Sequence, residues 1–106
     1  MTDSSGEVFA ALADATRREI LRAVAARGGA TATELAGDLP VSRQAVAKHL
    51  AVLAGAGLVA GRREGRETRY RPTPAPLSDA IGWMTQVGGE WDERLAALRA
   101  YAARRR

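Results

Sequence analysis

Apolar positions along this chain recur at helical spacing in short stretches, and glycine, proline or a capping residue breaks each stretch from the next. After a polar start (residues 1–5) that reads as frayed, Val8, Phe9 and Leu12 mark a first short helix. Asp14 has the place of an N-cap for a second helix reaching to about Arg27. Its face carries Ile20, Leu21 and Val24, and Gly28-Gly29 stops it. Thr31 and Glu34 have capping-box spacing and open a third helix with Leu35 and Ala36, kept short by Leu39-Pro40. Ser42 caps a fourth, whose Val46, Leu50 and Leu53 repeat at i, i+4 and i+7, and which ends at Gly55 and Gly57. A short scaffold helix, a tight break and a second helix with a polar outer face is how a helix-turn-helix reads, here over residues 31–58.

The rhythm then changes. In residues 58–72, LVAGRREGRETRYRP, Glu64-Gly65 lies between two short runs, which predicts a β-hairpin leaning on the helices through Leu58 and Tyr70. Pro72, Pro74 and Pro76 separate it from one long helical pattern over residues 77–103. There Leu77, Met84, Trp91 and Leu98 recur every seven residues, and Ile81, Gly88, Leu95 and Ala102 form a second series, as in a coiled-coil seam. A helix of this length overhangs so small a core, so the seam reads as a dimer interface. Gly88-Gly89 predicts a kink or a close helix–helix approach. The expected fold is mainly α with a β-hairpin wing, a winged helix-turn-helix in a single domain over residues 1–106. Residues 6–72 form its core and residues 76–104 a C-terminal dimerisation helix.

Composition narrows the chemistry. The absence of cysteine removes thiolate ligands, nucleophilic thiols and disulfides, and there is one histidine, His49. With no Gly-rich phosphate loop and no carboxylates paired by the pattern in a cleft, the inventory does not read as an enzyme. No stretch approaches the roughly 20 apolar residues that span a bilayer, and no charged start precedes an apolar run, so a cytoplasmic protein without membrane contact is expected. The net charge of +4 is unevenly spread: residues 1–40 carry −2, residues 41–72 carry +5 and residues 73–106 carry +1. The positive segment holds the fourth helix and the hairpin, an electrostatic footprint for a polyanion.

The fourth helix turns Val46, Leu50 and Leu53 inward, which leaves Arg43, Gln44, Ala47 and Lys48 outward. Arg43 suits guanine O6 and N7, Gln44 suits adenine N6 and N7, and Ala47 is small enough to meet a thymine methyl. Ser42 and Lys48 fit a phosphate or a nearby base edge, and His49 a phosphate or an intrahelical contact. Arg62, Arg63 and Arg66 of the hairpin are expected on the DNA backbone or in the minor groove. Arg69 is placed with them, although it and Arg71 alternate with Tyr70 and could be merely surface. Thr31 and Thr33, at the start of the third helix, are candidates for phosphate.

Four motifs in order, LADATRREIL (residues 12–21), TELA (33–36), SRQAVAKHLAVL (42–53) and AGLV (56–59), resemble the ArsR family of winged helix-turn-helix repressors, with the likeness running over residues 8–101. The resemblance implies a homodimer whose first and last helices form the interface, which adds Phe9 and Leu12 to Leu77, Ile81, Met84, Gly88, Trp91, Leu95 and Leu98. It also implies a dyad-symmetric operator on double-stranded DNA and repression by blocking a promoter, usually the protein's own. The founding members sense metals through cysteines in the third helix. Thr31 and Thr33 occupy those positions here, and the last helix offers acids but no histidine, so no metal and no cofactor are expected. The likeness is to the cysteine-free branch, with an inducer or partner protein that the residues do not name. Alternatives are a nonspecific DNA-coating protein or a protein-binding winged-helix module. The polar outer face of the fourth helix argues against the latter, for which an apolar patch is expected.

Overall fold

Side-chain caps begin three of the described helices, and a left-handed glycine ends one of them. In the computed structural model, which describes residues 4–104, these helices are α1 (Ser4–Leu12), α2 (Ala15–Arg27), α3 (Ala32–Asp38), α4 (Arg43–Gly55) and α5 (Pro74–Arg104). Asp14 accepts the Arg17 backbone N–H at 3.1 Å at the start of α2, and Gly28 closes that helix in the left-handed conformation at φ 70°. The capping box of α3 is complete: Thr31 Oγ1 accepts the Glu34 N–H, and Glu34 Oε1 accepts the Thr31 N–H at 2.9 Å. Ser42 Oγ accepts the Ala45 N–H and starts α4. Residues 1–3 of the polar start lie outside the described residues, while Ser4 and Ser5 already belong to α1.

Two arginines join the first helices. Arg17 Nε and Arg18 Nη1 donate to the carbonyls of Ala11 and Leu12, each at 2.7 Å, satisfying acceptors that the end of α1 leaves open. Beneath them Val8, Ala11, Ile20, Val24, Leu35, Val46, Leu50, Leu53 and Leu58 form the buried core, so the inward face read for α4 is the observed one.

The hairpin is present as β2 (Val59–Glu64) and β3 (Glu67–Pro72), joined at Gly65-Arg66 with Gly65 at φ 60°. It belongs to a larger sheet than expected. The two-residue strand β1 (Ala30–Thr31) pairs antiparallel with β3, Ala30 opposite Tyr70, to give the order β1-β3-β2. A two-residue strand carries no periodicity of its own, and only β3 arriving beside it makes it a strand. Gly61 lets the Tyr70 ring lie across β2, for a Cβ there would stand 2.8 Å from Thr68 Cγ2 and 3.0 Å from the ring.

The last helix departs from expectation at its start. Pro74 and Pro76 do not separate it from the wing; they are its first and third residues. The first turn of a helix has no intrahelical partners for its N–H groups, so proline there costs no hydrogen bond. α5 then runs through Gly82, Gly88 and Gly89 without interruption. Its 31 residues span about 46 Å at 1.5 Å per residue, which accounts for most of the molecule's 70 Å longest axis. It packs on α1 through buried Ala80, half-buried Leu77 and an edge-to-face contact between Phe9 and Trp83, with ring centroids 5.6 Å apart. Beyond Val87 every described side chain of α5 is exposed.

Candidate nucleic-acid interface

The outer face of α4 and the wing form one surface. Arg43, Gln44, Ala47 and Lys48 are exposed on α4, and Arg62, Arg63 and Arg66 are exposed on the wing. Arg43 and Ala47 share a cleft of about 140 Å³ with Arg63, Arg66 and Tyr70, which brings recognition helix and wing tip together beside the start of α3 at Ala32. Among the described residues the side chains of Gln44, Lys48, Arg62 and Arg66 make no hydrogen bond or ion pair, and their polar ends are open to a ligand. Arg63 Nε donates to the Gly65 carbonyl at 3.0 Å, which stiffens the turn and leaves the guanidinium exposed.

Several residues assigned to this surface from the sequence are partly buried or already engaged within the chain. The Thr31 side chain is 3 % exposed and serves as the α3 cap. Arg69 pairs with Glu64 and with Glu34, the latter at 3.0 Å, so two carboxylates already occupy its guanidinium. His49 is half-buried, unlike its neighbour Lys48. The partners of Arg69 lie on other elements of the fold, whereas the Thr31 cap is local. Ser42 keeps its exposure while its hydroxyl caps α4.

The ion pairs behind this surface were not legible in the sequence. Arg27 donates to both oxygens of Asp38 at 2.7 and 2.9 Å and lies 3.7 Å from Glu34, which links α2 and α3, and Arg69 continues the chain of charges into the wing. The Thr31 backbone N–H holds the Glu34 carboxyl below its ordinary range, and the charges of Arg69 and Arg27 add to this. Asp38 is likewise lowered, first by its hydrogen bond from Arg27. Thr33 and Glu67 also meet here: Arg43 Nε donates to Thr33 Oγ1 at 2.9 Å, and Thr33 Oγ1 is hydrogen-bonded to Glu67 Oε1.

A second surface lies along α5. Ile81, Met84, Trp91, Leu95 and Leu98 are between 42 % and 63 % exposed, an apolar stripe that a lone soluble chain seldom presents. Gly88 lies within it with nothing near its open side. Of the residues assigned to an interface, Phe9, Leu12 and Leu77 are partly buried against the protein's own core. Trp83, half exposed, packs edge-to-face on Phe9 and lies outside the heptad series.

A helix-turn-helix with a basic wing beside its second helix defines a DNA-binding regulator, and the comparisons place it further. Residues 12–62 match a helix-turn-helix domain family. An ArsR-like transcriptional regulator from Rhodococcus sp. RHA1 is 47 % identical, superposes with a TM-score of 0.81, and is matched over 93 % of this chain and 92 % of its own. The uncharacterized HTH-type transcriptional regulator YuzN of Bacillus subtilis is 38 % identical over 79 % of this chain and 99 % of its length. The transcriptional repressor SdpR of the same organism is 32 % identical over 83 % and 97 %. The chain belongs to the ArsR family of winged helix-turn-helix transcriptional regulators and, having no cysteine, to its cysteine-free branch. Among the described residues no helix is long and apolar enough to cross a membrane.

Proposed function

We infer that the protein acts as a homodimeric repressor at a dyad-symmetric operator, its own promoter included, with one α4 in each half-site. The observation that carries this reading is the exposed row of Arg43, Gln44, Ala47 and Lys48 on α4, of which Arg43 and Ala47 share a cleft with the wing's Arg63 and Arg66. Residues 6–72 serve as the DNA-reading unit, and α5 brings two such units together through its apolar stripe. Arg43 and Gln44 read base edges, Ala47 contacts a thymine methyl, and Lys48 with the wing arginines takes phosphates. Thr31 and Arg69, engaged within the chain, are left out of this set. Footprinting the purified protein on the DNA upstream of its own gene tests the reading: a protected site with two symmetric halves is expected, and even protection across all DNA would overturn it in favour of nonspecific coating.

Two variants separate the roles. Arg43→Ala is expected to cost about 1–3 kcal/mol on the specific site and much less on random duplex, as measured by titration of both. Equal loss on both would remove Arg43 from base reading. Neutralising Arg62 and Arg63 together is expected to weaken binding to every sequence. It also makes the slope of log K against log salt shallower, by roughly 1 for each phosphate that is no longer neutralised. An unchanged slope would place the wing away from the backbone.

A further inference from the structure

We propose that Thr33 and Glu67 are positioning residues for Arg43, so that the wing and the scaffold helix together set how the recognition helix reads a base. The inference rests on the assignment of base reading to Arg43 and adds two residues that the sequence did not pair. Three elements meet at one hydroxyl: Thr33 on α3, Arg43 at the first turn of α4, and Glu67 at the start of β3. The protons can be arranged in one way only. A guanidinium has donors and no acceptor, so Thr33 Oγ1 must accept from Arg43 Nε, and its single proton goes to the Glu67 carboxylate. A hydroxyl polarised by a carboxylate is a better acceptor for a cation, which strengthens the Nε anchor.

The consequence for recognition follows from which edge is used. Anchoring Nε leaves the Nη1/Nη2 edge of Arg43 unbonded among the described residues, and that edge can present two parallel N–H groups to guanine O6 and N7. A free arginine must give up side-chain rotamer freedom to reach this pose, and a held one has already done so. Glu67 also places a negative charge beside the binding face. It therefore offers no gain on phosphate backbone of arbitrary sequence and acts on the contact that carries sequence information.

The test compares affinity for a duplex selected by the native protein from a random library with affinity for unselected duplex. The ratio of the two cancels the uniform gain that removing a negative charge near phosphates produces. Thr33→Val and Glu67→Ala are expected to lower this ratio about fivefold, and Glu67→Gln, whose neutral amide oxygen still accepts the Thr33 proton, to lower it less, about twofold. In an Arg43→Ala background, Thr33→Val is expected to change nothing further, which a merely structural role of Thr33 would not produce. Circular dichroism and thermal melting report whether each variant is folded. An unchanged ratio in Thr33→Val, or equal effects of Thr33→Val with and without Arg43, overturns the positioning role while Arg43→Ala remains selective. If Arg43→Ala itself loses equally on both duplexes, the base-reading assignment fails, and this proposal with it.

Discussion

With Leu95 and Leu98 both replaced by glutamate, the protein is expected to sediment as a monomer and to lose affinity for its operator by about a hundredfold or more. Both side chains lie on the part of α5 that touches nothing of the protein's own core, at 42 % and 63 % exposure. Glutamate is a good helix former, so the helix itself persists, while like charges now face each other across the proposed dimer seam. The loss on DNA comes from geometry rather than contact. In a dimer the second half-site is filled intramolecularly, at the high effective concentration the first contact creates, and a monomer forfeits that advantage. Sedimentation, operator titration and far-ultraviolet circular dichroism check the three parts. A variant that still sediments as a dimer would move the interface off this stripe.

The second large effect lies in the core. Leu50→Ala is expected to destabilise the fold by about 2.7–5 kcal/mol, the range for removing a fully buried leucine side chain whose site does not collapse. Leu50 is fully buried on α4, between Val46 and Leu53 on the same inward face, where α2 also packs. In a domain of this size each kcal/mol shifts the melting midpoint by roughly 4–8 °C, so a drop of more than about 10 °C is expected. Lys48→Ala, two residues earlier on the exposed face, is the control and leaves the midpoint within a degree or two of native. Protein concentration must be held constant, because the stability of the proposed dimer depends on it. A Leu50→Ala midpoint like that of the control would mean that α4 is not held by its apolar face. The same pair divides stability from function: Lys48→Ala loses DNA affinity without loss of fold, and Leu50→Ala loses both.

The capped helix limits were legible because their determinants are local. Asp14, Thr31 with Glu34, and Ser42 each satisfy a backbone N–H within three residues, and Gly28 needs only its own backbone freedom. The inward face of α4 was legible for the same reason, since Val46, Leu50 and Leu53 repeat on a helix whose period is known in advance. Pro74 and Pro76 misled because proline reads as a separator, although in a first helical turn it removes no hydrogen bond. The strand β1 escaped notice because two residues carry no period.

The sequence by itself determined the order of the helices and the hairpin, the caps that begin α2, α3 and α4, and the faces that α4 turns inward and outward. These depend on interactions that reach one or two helical turns at most. Tertiary structure decided which polar side chains remain available for DNA. Arg69 is bound to Glu34 across 35 residues, and Thr33 meets Glu67 across 34. Whether a charge is free or already paired depends on which distant element folds against it, and neither spacing nor composition records that.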